Sequence, residues 1–303
     1  MKKLKSTILL IIAAVIWGVT FVAQSDAMEH IEPFTFNAVR FMIGAAVLLP
    51  FTKTFSGGKK MKDDFIFRIK DESRRTLVLG CILGTLLCIA SSFQQFGIAI
   101  GSSVGKAGFV TSFYIVLVPV IGLLFGRKTN LMVVISAVAA LVGLYFLCVG
   151  ENFSIERADS MYLVCAVFFA VHIVIVSIYS PYVNCIKLSC IQFLTASIIS
   201  AVCMFAFEKP DINAILDAYI PLLYAGVLSC GIAYTLQLIG QRELDPTVAS
   251  LIMCLESVFS VVAGFFLLDQ RLTVTELIGC GIMLAASAVS QLPQRKKKPF
   301  AQK

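Results

Sequence analysis

The chain is short of charge. Aspartate, glutamate, lysine and arginine make up 14% of its 303 residues, against about 25% in a soluble domain, and the mean hydropathy is +0.90. A water-soluble globule is excluded. Histidine is nearly absent, at two residues. The acidic residues of the polar loops (Asp63, Asp64, Asp71, Glu72) have lysines rather than histidines among them. They look like solvated helix, not the acid–base or metal cluster that an integral-membrane lipid or prenyl enzyme needs. No GxxxxGK[ST] cradle occurs, so the chain has no ATP-binding loop of that type. Ten cysteines are present without a CxxC pair, almost all inside apolar runs. A disulfide framework or a zinc site needs paired spacing in loops, so these thiols read as small apolar filler. Neither a metal nor a cofactor is expected.

What the chain has instead is ten long apolar segments. They run from Ser6 to Gln24, Phe34 to Phe51, Thr76 to Ala99, Val104 to Gly126 and Asn130 to Gly150, then Ser160 to Tyr179, Leu188 to Phe207, Tyr219 to Gly240, Thr247 to Leu268 and Val274 to Gln291. Each is near the ~20 residues that cross ~30 Å of hydrocarbon as a helix. With a cytoplasmic N-terminus, 20 of the 25 basic residues fall on the inner side. Arg157, Lys209 and Arg271 remain outside, and Arg40 and Lys106 lie within spans. This is the positive-inside pattern. It predicts a multi-pass protein of the plasma membrane with both termini in the cytoplasm. The net charge of +7 sits in loops facing anionic lipid, so the bilayer, not nucleic acid, is the expected partner. The opening Lys2-Lys3-Leu4-Lys5 and the apolar run behind it resemble a signal peptide. With nine further spans the reading is a retained anchor.

The segments group as two halves: residues 1–150, with a cytoplasmic loop at 52–75, and residues 151–292, followed by a basic tail at 293–303. Ser103–Thr129 lies over Thr247–Thr273 at an offset of 144 residues. Nearer the start of each half the offset is 152, which sets Trp17 on Phe169, Thr20 on His172 and Arg40 on Gln192. The third segment carries Gly80, Gly84, Cys88, Ser91 and Gln95, and the eighth carries Gly226, Cys230, Ala233, Gln237 and Gln241. Steps of three or four place each set on one helix face, where small residues permit close approach. Five spans per half is an odd number, so the second half enters the membrane inverted. The expected fold is an all-α polytopic protein of ten transmembrane helices in two inverted five-helix repeats, with a substrate site near mid-membrane. Within the 52–75 loop, Lys59 to Arg75 reads equally as an interfacial amphipathic helix or as a solvated linker.

Ile16-Trp17-Gly18-Val19-Thr20-Phe21-Val22, followed by Pro33 to Phe41, resembles the opening of EamA-type members of the drug/metabolite transporter superfamily. Ser250 to Ser260 and Leu267 to Thr273 resemble the matching part of its second half. The likeness covers essentially the whole chain. It implies a secondary transporter of a small polar metabolite, an amino acid or a related compound, by alternating access and in the export direction. An organic-cation exporter of the same fold is the alternative. Two departures stand out. Glu256-Ser257 replaces the family's frequent Glu-Pro, which removes an expected kink from the ninth span, and Asp269-Gln270 replaces a frequent Glu. The sequence leaves monomer and homodimer both open.

Polar groups within spans are costly, a charge about 2.5–3.5 kcal/mol at mid-helix, so each needs a reason. Glu256 falls ten residues into the ninth span, near the bilayer centre. Desolvation disfavours the ionised form of a buried carboxylate, which makes Glu256 a candidate for proton coupling or cation binding; a structural ion pair is the alternative. Arg40, on a face with Asn37 and Gly44, is a candidate clamp for a substrate carboxylate. It could instead pair with Glu256 or snorkel outward. Lys106, near a helix end, is expected to snorkel. His172 is a candidate proton relay or a packed core histidine. Trp17, Thr20, Asn37, Gln95, Tyr114, Tyr234 and Gln237 complete the candidate substrate-binding set, aromatic walls with a few polar anchors. Pro119 is expected to kink the fourth span.

Overall fold

The computed structural model describes residues 2–53, 69, 71–100, 104–126, 130–148, 157–267 and 273–292, and these contain helices and turns and no strand. The first half comprises α1 (Lys2–Ala27), α2 (Pro33–Leu48), α3 (Glu72–Ala99), α4 (Val104–Thr111), α5 (Tyr114–Leu124) and α6 (Leu131–Cys148). The second comprises α7 (Arg157–Tyr179), α8 (Cys185–Phe207), α9 (Ile212–Asp217), α10 (Tyr219–Leu223), α11 (Thr235–Gly240), α12 (Pro246–Met253), α13 (Glu256–Leu267) and α14 (Val274–Ser290). A π-helix, Tyr224–Tyr234, joins α10 to α11 in one rod. By length and composition eight rods can cross a bilayer, and α6 and α14 contribute two shorter apolar helices.

Helix starts follow local chemistry. Pro33 and Pro246 open α2 and α12, where a missing N–H is harmless. The Asn184 side chain accepts from the N–H groups of Ile186 and Lys187. Thr273 and Glu276 form a reciprocal capping box on α14. Packing is then set by small residues. A Cβ on Gly80 would stand 2.7 Å from that of Ile191, and one on Gly84 2.7 Å from that of Thr195, so α3 lies directly on α8. The π-helical rod does the same to α2: a Cβ on Gly226 would be 2.6 Å from that of Ile43, and one on Gly44 2.5 Å from that of Cys230.

These two contacts are related by a pseudo-two-fold rotation. In the same way α3 packs on α7 as the π-helical rod packs on α1, and α5 packs on α7 as α13 packs on α1. Helices α2 and α8 pack on each other, as do α6 and α14. Residues that meet their own repeat mates mark the pseudo-two-fold axis. Phe41 stacks on Phe193 at 6.0 Å and 8°, and Tyr114 hydrogen-bonds Glu256, 142 residues later.

Several expectations change. The ninth span is broken despite losing its proline: α12 ends at Met253, Cys254 and Leu255 form a turn, and α13 starts at Glu256. The fourth span breaks at the equivalent place, Ser112–Phe113, upstream of Pro119, which sits inside α5. These matched breaks set the register at 142 residues rather than 144, because thin identity does not fix alignment whereas a backbone break does. Lys106, near the start of α4, pairs with Asp159 near the start of α7, Nζ to Oδ2 at 3.1 Å. Most of the proposed 59–75 helix, and Asp269 to Arg271, lie outside the described residues.

Candidate functional site

One cavity opens along the pseudo-two-fold axis. The space between its lining atoms, open solvent at the mouth included, is about 510 Å³. From α1 it takes Trp17, Thr20, Phe21 and Gln24, one face at steps of three and four. Arg40 comes from α2, Gln94 from α3, Tyr114 from α5, and Phe169 and Ile173 from α7. Ser229, Tyr234 and Gln237 come from the rod that contains the π-helix, Met253 from α12 and Glu256 from α13. Among the described residues none of the lining comes from α6, α8 or α14.

The local structure explains these placements. Ser229 and Tyr234 are five residues apart and would diverge on an α-helix; the wider π turn, with its i→i+5 bonding, brings them toward one face. Tyr234 is braced by Trp17, edge-on at 4.9 Å, and by Phe193 at 5.7 Å. Glu256 is the first residue of α13, where the helix dipole favours negative charge. Its carboxylate accepts from the Tyr114 hydroxyl at 3.0 Å. Beneath it the two broken spans are tied together, Ser112 Oγ to Ser257 Oγ at 2.8 Å, with Ser257 Oγ donating to the Gly108 carbonyl at 3.0 Å.

Arg40 is 3% exposed, its guanidinium 4.9 Å from the Phe36 ring centre and 4.8 Å from that of Phe41. It neither pairs with Glu256 nor reaches an interface, and its Nε has no hydrogen-bond partner among the described residues. Trp17 Nε1, Gln24 Oε1 and Gln237 Oε1 are likewise buried without partners. Residues that line the cavity thus keep both a donor and acceptors without partners among the described residues.

Of the nine candidate substrate-binding residues, Trp17, Thr20, Arg40, Tyr114, Tyr234, Gln237 and Glu256 stand on this cavity. Asn37 instead donates to Ser92 at 3.5 Å, and Gln95 to the Gln24 carbonyl at 3.2 Å, both joining helices. His172 is buried against Gln192 at 3.1 Å. The sequence reading did not single out Gln24, Gln94, Ser229, Phe169 or Met253. Gln94 was the nearest miss: it is one residue from Gln95, and only the rotation of α3 decides which amide faces the cavity. Among the described residues no three His, Cys, Asp or Glu side chains are grouped to hold a metal.

Inverted halves that share one polar cavity on their axis define a multi-pass membrane transporter architecture. The model of the EamA-like transporter family matches residues 4–149 and again 157–291, and the chain belongs to that family. An uncharacterized transporter of Archaeoglobus fulgidus is 30% identical over 293 residues, covering 96% of this chain and 87% of its own. The uncharacterized transporter YoaV of Bacillus subtilis is 23% identical over 287 residues, covering 91% and 94%. A solved crystal structure superposes with a TM-score of 0.74 over 94% of this chain and 96% of its own, at 18% identity, a likeness of fold. The chain is a membrane transporter.

Proposed function

We propose that the protein is a secondary transporter of the plasma membrane that carries a small zwitterionic metabolite of the amino-acid type, its two halves rocking about the central cavity. The observation that carries this reading is a buried arginine and a buried glutamate on one cavity, neither neutralising the other. A substrate carboxylate would complete Arg40 through paired charge-assisted hydrogen bonds. A substrate ammonium would meet Glu256, and Trp17, Tyr234 and Phe169 would enclose the apolar part. Glu256 is also the group that would carry a coupled proton.

The organic-cation reading is favoured by the same glutamate and aromatic wall, and is opposed by the charge of Arg40 on that wall. The two separate by mutation. For a zwitterion, both Arg40→Gln and Glu256→Gln abolish transport; for a cation, Arg40→Gln retains it. The primary experiment is uptake of labelled amino acids and organic cations into proteoliposomes, with and without an imposed pH gradient. Accumulation that a protonophore collapses supports coupled transport. Equilibration indifferent to the gradient makes the protein a facilitator. No movement of any amino acid in the panel removes the zwitterion reading.

A further inference from the structure

Where the two broken spans cross, each hydroxyl proton can be followed to its acceptor. Ser257 has one such proton, and it goes to the Gly108 carbonyl at 3.0 Å. At the 2.8 Å contact between Ser112 Oγ and Ser257 Oγ, Ser112 is therefore the donor. Tyr114, two residues further on, gives its proton to Oε1 of Glu256 at 3.0 Å. Three hydrogen bonds thus join the fourth span to the ninth, two running forward and one back. Gly108 makes room for them: a Cβ there would stand 3.3 Å from Ser260 Oγ and 3.5 Å from Ser257 Oγ. Ser112, Tyr114 and Ser257 are all buried.

The count has a consequence for the carboxylate. Tyr114 occupies Oε1 and leaves Oε2 for the cavity on which Glu256 stands. A donor bonded to a carboxylate favours the ionised form, and such a bond is roughly twice as strong as a neutral one. When Glu256 takes up a proton, the acid can donate to the Tyr114 oxygen instead. The Tyr114 proton then turns to Ser112, whose side chain lies within hydrogen-bonding reach. Ser112 donates to Ser257 and still has a lone pair with which to accept. Every hydroxyl in the row is satisfied in both charge states of Glu256, and only the direction and strength of the Tyr114 bond change.

We propose that Tyr114, held by the row Ser112–Ser257–Gly108, is the positioning residue for Glu256: it keeps the carboxylate ionised, fixes its orientation and reserves Oε2 for a substrate ammonium or a coupled proton. This deepens the reading of Glu256 given above and rests on it. The other ionisable groups near the carboxylate are Tyr234 on the π-helical rod, Cys165 on α7 and Cys254 in the break, with Arg40 of α2 on the same cavity. Helices α1 and α4 also pack on α13. Lys3, Lys5 and Asp26 stand near the ends of α1, and Lys106 of α4 is paired with Asp159. Among the described residues Tyr114 alone of these groups hydrogen-bonds Glu256.

The test is a titration of Glu256 itself. Infrared difference spectra of the purified protein in liposomes follow the carbonyl stretch of the protonated acid against pH, and the band is assigned by its loss in Glu256→Gln. Tyr114→Phe keeps the ring and removes the donor. It is expected to move the midpoint of that band upward by about one to two pH units, the weight of one hydrogen bond to a charged group. Ser257→Ala keeps Tyr114 but cuts the row, and is expected to move the midpoint the same way by less. An unchanged midpoint in Tyr114→Phe, or no titrating band in either protein, overturns the proposal. A tyrosine that served packing alone would lower the melting temperature and leave the midpoint where it was. Should Tyr114→Phe not fold, Ser112→Ala and Ser257→Ala carry the same readout, and an unmoved midpoint in both sinks the idea. No substrate is needed, so an amino-acid panel that shows no transport removes the zwitterion reading and leaves this titration standing.

Discussion

Arg40 brings a full charge into the middle of the bundle, where even the mildest insertion scales charge ~2.5–3.5 kcal/mol. Two phenylalanine faces return ~0.5–2 kcal/mol by cation–π attraction. Among the described residues its Nε has no hydrogen-bond partner, which leads to an opposed pair of expectations. Arg40→Gln should raise the melting temperature in detergent, by about 1–3 kcal/mol of stability, while lowering affinity for a zwitterion about 10- to 100-fold, the loss of a charge-assisted hydrogen bond. A thermal melt and a transport assay on the same preparation check both; a lower melting temperature would mean that Arg40 is a structural residue. Glu256→Gln should keep the Tyr114 contact, so the protein should melt near wild type yet lose accumulation driven by a pH gradient. The residues on the cavity were legible in the sequence where a charge or a lone aromatic interrupted an apolar run, as at Arg40, Glu256 and Trp17. They were not legible where several amides follow one another, as at Gln94-Gln95, because helix phase is set by packing.

At the scale of the element, the close approaches and the paired breaks do most to shape the cavity. Gly18 lets α1 meet the backbone of α13: a Cβ there would stand 2.5 Å from the Phe259 Cβ and 2.8 Å from the Ser260 nitrogen. Gly18→Ala must therefore move one helix, at about 1–3 kcal/mol. Gly281→Ala on α14 meets nothing within 4 Å and should gain up to about 1 kcal/mol from helix propensity. Melting curves of the two variants should shift in opposite directions. The sequence showed the stripes that begin at Gly80 and Gly226, because small residues at steps of three and four let helices approach closely; it did not single out Gly18 or Gly281. It did not show the breaks at Ser112–Phe113 and Cys254–Leu255, which contain neither glycine nor proline. Both are places where one span crosses its mate on the axis, a tertiary circumstance that no local residue announces. The π-helix, which packs on α1 and α2, was likewise not legible in the sequence.

At the scale of the whole molecule, contacts settle which residues share an end, independently of any membrane. Arg75 and Arg242 both donate to the turn after α7, at Tyr182 and at Ser180 and Val183. Lys187 reaches Ser73 at 3.5 Å, and Thr7 donates to Gln291 at 2.9 Å, which brings the start of α1 beside the end of α14. The opposite end carries carboxylates in structural use. Glu208 accepts from the N–H groups of Phe34 and Thr35, both at 2.7 Å, and Asp159 pairs with Lys106. Arg75, Lys187 and Arg242, which the sequence assigned to one side of a bilayer, thus share one end of the fold, and the positive-inside rule predicts that this end faces the cytoplasm. A phosphatase that works only outside the cell should be inactive when fused after Lys303 and active when fused after Lys209. Activity at the tail and silence at Lys209 would invert the protein in the membrane. The cavity and its two charges would be untouched, but substrate reaching Arg40 from one side would then do so from the other.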